Sequence, residues 1–247
     1  MRMDRSCGYS REPMPTLPRD SREEMLAHYR RRNSRLYRRL RAPLPLVHER
    51  SERGLPPCDG VKLWIGGAGC PVPADFINFD FEPFSGVQVC GDARQLPFRD
   101  GSIAAIECDA VLEHVAKPEM AVAEMVRVLR PGGFLHIVVP FNQAFHAYPS
   151  DYQRWTLAGL KEMLPAAELR VVELGIRTGP TATMLSYFCE YCRILAPARL
   201  GKLAYAAANW IVWPLRYLDR WLNRKPNAHI LANSIYILAQ KKQSGEV

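Results

Sequence analysis

The chain has 247 residues, of which 48% are hydrophobic, and this suits one large α/β domain with extensions better than two domains. Its net charge of +8 is uneven, because residues 1–57 hold 14 Lys/Arg against 7 Asp/Glu while the other residues hold 19 against 18. The seven cysteines are scattered, and the Cys189/Cys192 pair has no second pair at metal-site spacing, so we expect reduced thiols and no bound metal. The first twenty residues lack the apolar run of a signal peptide, which favours a cytoplasmic location.

The basic N-terminal region divides into three parts. Residues 1–20 are rich in Pro, Arg and Ser and predict a disordered tail. A capping box at Ser21-Arg22-Glu23-Glu24 predicts a helix over residues 21–41 whose surface is largely arginine, and the prolines of residues 42–60 indicate a linker. Such a helix could meet RNA, anionic lipid or an acidic partner, or be a solvated surface. The main domain is therefore expected at residues 61–247.

Apolar runs alternate with helical patterns along the main domain. Strands are expected at residues 61–65, 76–80, 87–90, 103–108, 134–139, 169–175 and 233–240. Helices are expected at about 110–116, 118–130 and 156–164, with Pro131-Gly132-Gly133 ending the second of them. This alternation predicts a mostly parallel, three-layer sheet. The connection between the first two strands is too short for a full crossover helix.

Three of these strands deliver unusual residues to their carboxyl ends. The first is followed by the glycine turn Gly66-Gly67-Ala68-Gly69, the second ends in Asp80, and the third is followed by Gly91-Asp92. Glycine lets the backbone approach a ligand more closely than any Cβ allows. Because the carboxyl ends of parallel strands meet at one edge of a sheet, the arrangement predicts a nucleoside-binding edge.

Six pieces of the sequence stand in the order in which one enzyme family carries them. They are the glycine turn, Asn78-Phe79-Asp80, Gly91-Asp92-Ala93 with Leu96-Pro97-Phe98, Leu112-Glu113-His114-Val115, the segment 127–133, and Val139-Pro140-Phe141. Over about residues 61–165 the chain resembles class I S-adenosylmethionine-dependent methyltransferases, most closely the bacterial methyltransferase domain 11 type. The resemblance implies a Rossmann-like α/β/α sandwich with a seven-stranded, mostly parallel sheet and an antiparallel last strand. It also implies S-adenosyl-L-methionine as the cofactor.

The resemblance further implies which residues contact that cofactor. Asp80 would accept hydrogen bonds from the ribose hydroxyls, and Asp92 would receive the adenine amine. The glycine turn would pass under the methionine portion, and Cys108-Asp109-Ala110 would line the path to the methyl group. The complete set implied is Gly66, Gly67, Ala68, Gly69, Asp80, Phe81, Asp92, Ala93, Asp109 and His114.

Three positions depart from the family pattern. Trp64 stands where an acidic residue is usual, Ala68 replaces a glycine, and Ala104 replaces an aspartate. They support an alternative, a catalytically degenerate methyltransferase fold that binds a partner without turnover. RNA methylation is a weaker alternative, because the main domain lacks a basic stripe, and we do not expect nucleic acid as a partner. A nicotinamide dehydrogenase is weaker still, since the Gly-x-Gly-x-x-Gly spacing is absent.

A polar, aromatic loop follows Pro140 at the mouth of the expected site. It resembles a loop that carries His, Pro-Ser-Asp and Arg in a subset of these bacterial methyltransferases. Methyl transfer is an in-line displacement in which positioning supplies most of the acceleration. His146 is the best general base on the ground of its ordinary pKa, and Asp151 and Arg154 would orient it or bind substrate. The alternative is that Asp151 and Arg154 pair only to rigidify the loop.

A helical, apolar insertion at about residues 177–232 separates the last two expected strands. It contains a row of aromatic residues at helical spacing beside a row of arginines, namely Trp210, Trp213, Tyr217 and Trp221 next to Arg216, Arg220 and Arg224. Together with the 21–41 helix, the 203–224 segment favours attachment to an anionic surface, peripheral to the inner membrane. A lid over the site or a dimer interface is the alternative. We expect a small-molecule, glycan or lipid-linked methyl acceptor.

Overall fold

In the computed structural model, the described part of the chain is residues 55–67, 72–147, 150–243 and 245. The expected tail 1–20, the basic helix 21–41 and the linker up to residue 54 lie outside it, as do Ala68 and Gly69. Seven strands form one sheet: β1 Lys62–Ile65, β2 Phe76–Asp80, β3 Val89–Cys90, β4 Ile103–Asp109, β5 Leu129–Pro140, β6 Leu169–Thr178 and β7 Ser234–Lys241.

The strand order of the sheet is β3-β2-β1-β4-β5-β7-β6. Strands β1 to β5 pair in parallel, and β7 runs antiparallel to both β5 and β6. The expected Rossmann-like α/β fold with an antiparallel last strand is therefore confirmed. Because Ile65 at the end of β1 lies opposite Cys108 in β4, the carboxyl ends of these central strands meet at the middle of one edge.

The sheet is stable because its central strands are apolar almost throughout. All residues of β4 except its last, Asp109, are buried. One face is covered by α1, Pro118–Val128, and α2, Leu157–Met163. Their buried side chains, including Met125 and Leu160, share one core cluster with residues of all the central strands. The apolar periodicity of these segments thus becomes a single continuous core.

Two of the expected helices are shorter than the sequence predicted. The helix expected at 110–116 is one 3-10 turn, Leu112–His114, because Ala110 before it has a φ of 56° and Val115 after it is already extended, with a ψ of 122°. Helix α1 ends at Val128 rather than at residue 130. The Pro131-Gly132-Gly133 segment lies inside β5, where the pairing with β4 shifts register, instead of standing before the strand.

The insertion between β6 and β7 occupies residues 179–233. It consists of α3 Pro180–Leu195, α4 Gly201–Val212, a 3-10 segment Trp213–Leu218, α5 Asp219–Leu222 and a 3-10 turn Ala228–Leu231. It begins and ends at paired strand residues, since Thr178 lies opposite Ser234 in the ladder. The carbonyl of Thr178 also accepts the N–H of Asn233 at 2.8 Å.

A buried carboxylate organises the insertion. Asp219 is 1% exposed and accepts the N–H of Thr181 at 2.7 Å and that of Ala182 at 2.9 Å. These N–H groups belong to the first turn of α3, where a helix has no internal partners for its donors. A negative charge at this end also complements the helix dipole. Asp219 therefore ties the later part of the insertion to the start of α3.

The aromatic row expected in the insertion does not follow one continuous α-helix. The 3-10 segment Trp213–Leu218 interrupts the α-helical turn between Trp210 and Trp221, and within it the rings of Trp213 and Tyr217 meet edge to face with their centroids 5.8 Å apart. Trp210 and Trp221 are exposed, whereas Arg216 is buried and donates to Asn209 Oδ1 at 2.8 Å, so Arg216 is not part of an exposed basic row. Within the described residues, we find no helix that is both long and apolar enough to cross a membrane.

Candidate active site

The first two residues of the glycine turn lie against neighbouring segments. Gly66 has a φ of 82°, which side chains with a Cβ rarely tolerate, and its N–H donates to the Phe79 carbonyl at 2.9 Å. A Cβ on Gly66 would lie 2.1 Å from Val111 Cγ2, and a Cβ on Gly67 would lie 2.2 Å from Asn78 Oδ1. Glycine is therefore required at both positions by close approach.

The two acids expected to hold the nucleoside end adjacent strands. Asp80 closes β2, is 8% exposed, and accepts the N–H of Glu82 at 3.3 Å. Asp92 follows β3 and pairs through both oxygens with Arg94, whose Nη2 lies 2.7 Å from Oδ2. Burial works to raise the pKa of Asp92, but the hydrogen bonds and charge of Arg94 outweigh it and lower that pKa below its ordinary value. Both acids face the same edge as the glycine turn.

The end of β4 has an unusual backbone conformation. Among the described residues, Ala110 is the one residue other than glycine with a positive φ. That conformation costs an alanine roughly 1 kcal/mol, so neighbouring contacts must stabilise it. One of these contacts is the hydrogen bond that the N–H of Ala110 donates to the Val138 carbonyl at 3.0 Å. Asp109, the residue before Ala110, accepts a hydrogen bond from Arg177 Nη2 through its Oδ2 at 3.3 Å. Burial raises the pKa of Asp109, and Arg177 opposes that rise.

A buried carboxylate, Glu113, faces two histidines after this bend. Glu113 is 0% exposed, and neither of its carboxylate oxygens has a hydrogen-bond partner among the described residues. Its Oε1 lies 3.9 Å from His114 Nε2 and 3.6 Å from His146 Nε2. The two imidazole rings meet edge to face with their centroids 5.2 Å apart. We call Glu113, His114 and His146 the Glu-His-His cluster.

The second ring nitrogen of each histidine is held by a backbone carbonyl. His114 Nδ1 lies 2.5 Å from the Ser150 carbonyl, and His146 Nδ1 lies 3.1 Å from the Ala144 carbonyl. A carbonyl oxygen only accepts, so we assign the proton of each neutral ring to Nδ1. Each Nε2 then presents a lone pair to Glu113. The facing atoms of the cluster are three acceptors, an arrangement that calls for a cation among them.

Asp151 and Arg154 fix the loop that carries His146. Asp151 Oδ2 accepts the His146 N–H at 2.8 Å and an Arg154 Nη2 hydrogen bond at 2.7 Å, while Arg154 Nη1 donates to the other carboxylate oxygen. Arg154 Nε also donates to the Gln143 carbonyl at 3.2 Å. The pair with Arg154 lowers the pKa of Asp151 to about 2. The Glu113 carboxylate raises the pKa of His146, against the opposing effect of burial.

The structure brings some of the expected residues together and adds one. His114, expected on the cofactor side, and His146, expected on the acceptor side, share one cluster. Asp151 and Arg154 contact each other and the loop backbone, which is the loop-fixing arrangement. Of the remaining expected residues, Phe81 is 36% exposed next to Asp80 and Ala93 is buried. Glu113 was not expected in the site, although the Leu112-Glu113-His114-Val115 motif contained it.

Comparison with known proteins finds similarity over the central part of the chain. Residues 76–137 match the sequence model of a family described as "Methyltransferase domain". The demethylmenaquinone methyltransferase of Renibacterium salmoninarum is 35% identical over 72 residues, which are 29% of this chain and 30% of that protein. An uncharacterized 37.1 kDa protein in transposon Tn4556 of Streptomyces fradiae is 58% identical over 45 residues, 18% of this chain and 13% of that protein. The chain thus matches less than a third of the length of either relative.

One solved structure is similar over nearly the whole chain. A chain of the Haloferax volcanii complex that contains the Trm112 methyltransferase activator aligns with a TM-score of 0.52 and 16% identity. The alignment covers 93% of this chain and 99% of that one. At this level of identity the similarity concerns the fold alone.

Proposed function

We propose that the chain transfers the methyl group of S-adenosyl-L-methionine to an acceptor, because its residues 76–137 match a methyltransferase domain and its sheet has the Rossmann-like strand order. S-adenosyl-L-methionine is the cofactor of this class of domain. The observation that carries the proposal is the family match, whose residues run from β2 to β5 and include both Asp80 and Asp92. The glycine turn lies just before the matched segment.

The positions of these residues suit the cofactor in one orientation. Asp80 and Asp92, at the ends of β2 and β3, are on the side of the sheet edge where ribose and adenine would lie. Gly66 and Gly67 lead from the next strand, β1, and would leave room for the methionine portion. The sulfonium methyl group would then point toward the end of β4. Asp109 is the last residue of that strand, Glu113 and His114 follow it, and His146 follows β5.

The reaction consists of one displacement. When bound, S-adenosyl-L-methionine would supply an electrophilic methyl group: a lone pair of the acceptor would form the new bond to carbon as the carbon–sulfur bond breaks and its electron pair stays on the sulfur of S-adenosylhomocysteine. A hydroxyl or ammonium acceptor must also lose a proton, and with no ion in the cluster His146 Nε2 is the group that takes it. Asp151 and Arg154 act on His146 through the loop backbone, so they are positioning residues. Holding acceptor and cofactor in line supplies most of the acceleration.

The acceptor in this proposal is a small or lipid-linked molecule at a membrane surface. The insertion exposes large apolar side chains, including Ile194 at 73%, Leu203 at 66% and Ile211 at 77%. It also holds seven Lys/Arg against two Asp/Glu over residues 179–233. Apolar side chains beside excess positive charge suit the interface of an anionic bilayer. The named relative, a demethylmenaquinone methyltransferase, supports a small-molecule acceptor rather than nucleic acid.

Calorimetric titration with S-adenosyl-L-methionine tests the enzyme proposal. We expect binding by the wild type and loss of binding in Asp80→Ala, because the ribose hydroxyls lose their acceptor. Asp59→Ala is the matched control, since Asp59 is exposed and precedes β1. Absence of heat and of a thermal shift at millimolar cofactor would favour the degenerate binding fold instead. This second candidate is motivated by Trp64, which stands where the family usually has an acidic residue. Its ring packs edge-on against that of Phe76, with the ring centroids 5.6 Å apart.

Vesicle flotation tests the membrane part separately. Wild-type protein is expected to float with vesicles that contain phosphatidylserine and to remain behind with pure phosphatidylcholine. The variant Trp210→Ser/Trp221→Ser should lose most of the flotation, because both indoles are exposed on the insertion. Val61→Ser, which changes an exposed apolar residue next to β1, is the control. Equal flotation of all three proteins would remove the insertion from the proposal.

A further inference from the structure

The Glu-His-His cluster has the composition and geometry of a metal site. One ligand atom from each of Glu113, His114 and His146 lies within 4.8 Å of the others. We propose that the cluster binds one divalent transition-metal ion through Glu113 Oε1, His114 Nε2 and His146 Nε2. The metal site itself does not depend on the proposed methyl transfer. Only its role toward an acceptor rests on that function.

The distances in the cluster suit an ion at its centre. Transition-metal ions bind imidazole nitrogen and carboxylate oxygen at about 2.1 Å, which places neighbouring ligand atoms roughly 3.0–3.5 Å apart. Glu113 Oε1 is 3.6 Å from His146 Nε2 and 3.9 Å from His114 Nε2. These separations are too long for hydrogen bonds and only a few tenths of an ångström wider than a ligand set. Small side-chain rotations would therefore complete the coordination.

The backbone prepares both histidines for this role. Metal-binding histidines commonly donate their second ring N–H to a carbonyl or carboxylate, which fixes the tautomer and the ring orientation. His114 does so to the Ser150 carbonyl and His146 to the Ala144 carbonyl. Both rings therefore turn Nε2 toward the same carboxylate. Asp151, which accepts the N–H of His146, adds a further layer of support.

The state of Glu113 is an independent indication. Its side chain is 0% exposed, and both carboxylate oxygens lack a hydrogen-bond partner among the described residues. A buried carboxylate without partners costs several kcal/mol, so folded proteins rarely keep one. In the tautomer assigned above, both imidazoles present a lone pair to this carboxylate and offer it no hydrogen-bond donor. A divalent ion between the three groups compensates the carboxylate and satisfies both nitrogens.

The ligand set also indicates the class of ion. Two imidazole nitrogens and one carboxylate oxygen suit zinc, iron, cobalt or nickel, whereas magnesium and calcium prefer oxygen ligands alone. Three protein ligands leave coordination positions free. An acceptor hydroxyl bound there would lose its proton to solvent more easily, because the ion lowers the pKa of a bound oxygen. His146 would then be a ligand, and the ion would replace it as the group that activates the acceptor.

Cobalt(II) titration of tag-free, chelator-treated protein is the decisive experiment. We expect visible absorption bands that saturate at one ion per chain and are lost on addition of zinc(II) but not of magnesium(II). Glu113→Gln, His114→Asn and His146→Asn should each weaken cobalt binding by about 100-fold or more. His229→Asn changes an exposed histidine in the insertion and should leave binding unchanged. Circular dichroism of each variant establishes that it is folded.

Three outcomes would overturn the proposal. One is no saturable cobalt binding by the wild type, which would leave a proton shared by Glu113 and His146 as the cation of the cluster. Another is binding that Glu113→Gln and His146→Asn leave unchanged. The third is a thiolate charge-transfer band, which would assign the ion to cysteines. Because no S-adenosyl-L-methionine is present, these results are independent of cofactor binding, and failure of the methyl-transfer proposal would leave the metal site standing.

Discussion

Replacement of Asp219 by alanine should selectively destabilise the insertion. The carboxylate is buried and accepts two N–H groups in the first turn of α3, at 2.7 and 2.9 Å. Each hydrogen bond to a charged group contributes about 1.5–3 kcal/mol, and part of this is regained because water reaches the half-buried Thr181 and Ala182. We expect a loss of about 3 kcal/mol for Asp219→Ala. Asp219→Asn keeps one acceptor oxygen and should lose roughly half as much.

Native-state hydrogen exchange measures this effect where it occurs. A loss of about 3 kcal/mol makes the amides of α3 exchange about 100-fold faster, while amides of β4 and β5 should change little because the insertion can open without the sheet. Asp100→Ala is the control, since Asp100 is an exposed acid that pairs with Arg127 on the surface. If α3 exchanges at the control rate in Asp219→Ala, the carboxylate does not organise the insertion. Uniformly faster exchange of the whole domain would also contradict the reasoning, because it would mean that the insertion and the sheet unfold together.

Two further predictions concern the cofactor edge. Gly66→Ala should cost about 2–4 kcal/mol of unfolding free energy and weaken cofactor binding, since its Cβ would lie 2.1 Å from Val111 Cγ2 at a positive φ. When Val111→Ala is added, urea unfolding should recover only the part of the lost free energy that is due to the clash. Full recovery of the unfolding free energy would show that the backbone at residue 66 is unstrained. The Asp92–Arg94 pair makes stability pH-dependent. Because the pKa of Asp92 is lowered in the fold, its contribution is complete above the unfolded pKa of about 3.9 and is lost as the pH falls through the folded value. Wild type and Asp92→Asn should therefore converge in unfolding free energy on acidification below about pH 4, and a constant difference would contradict this.

The fold could be predicted largely from local patterns. Each expected strand corresponds to an observed one, and the bounds of β1, β2 and β4 were accurate because buried strands of parallel sheets are apolar along their length. The strand expected at 87–90 is only Val89–Cys90, whose second residue is exposed. The boundaries were less accurate where backbone geometry decided them. The positive φ of Ala110 leaves only one 3-10 turn after β4, and no residue type marks that conformation in the sequence. The bulge at Pro131-Gly132-Gly133 similarly depends on its pairing with β4.

The candidate site was only partly predictable for a related reason. His146 and the Asp151–Arg154 pair were identified from residue type and spacing along one loop. Glu113 was missed because its importance arises from burial and from a histidine 33 positions later in the chain. A sequence motif shows that a glutamate is present but not whether it has a partner. Unsatisfied polarity is a property of the packed molecule.

The pairing of Thr178 with Ser234 has a consequence for the architecture of the whole chain. The 55 residues between them leave and re-enter the ladder at neighbouring positions, as the loop of a hairpin does. Before it re-enters the ladder, the same segment hydrogen-bonds to the residues that follow β5: the N–H of Phe141 donates to the Asn233 carbonyl, and the N–H of Asn142 donates to the Ala232 carbonyl. The insertion therefore leaves and re-enters the sheet at one place, and Ala232 and Asn233 connect it to the segment that leads to His146. A change in the helices of the insertion would thus reach the surroundings of the Glu-His-His cluster through these two residues, while the pairing of β6 with β7 stays in place.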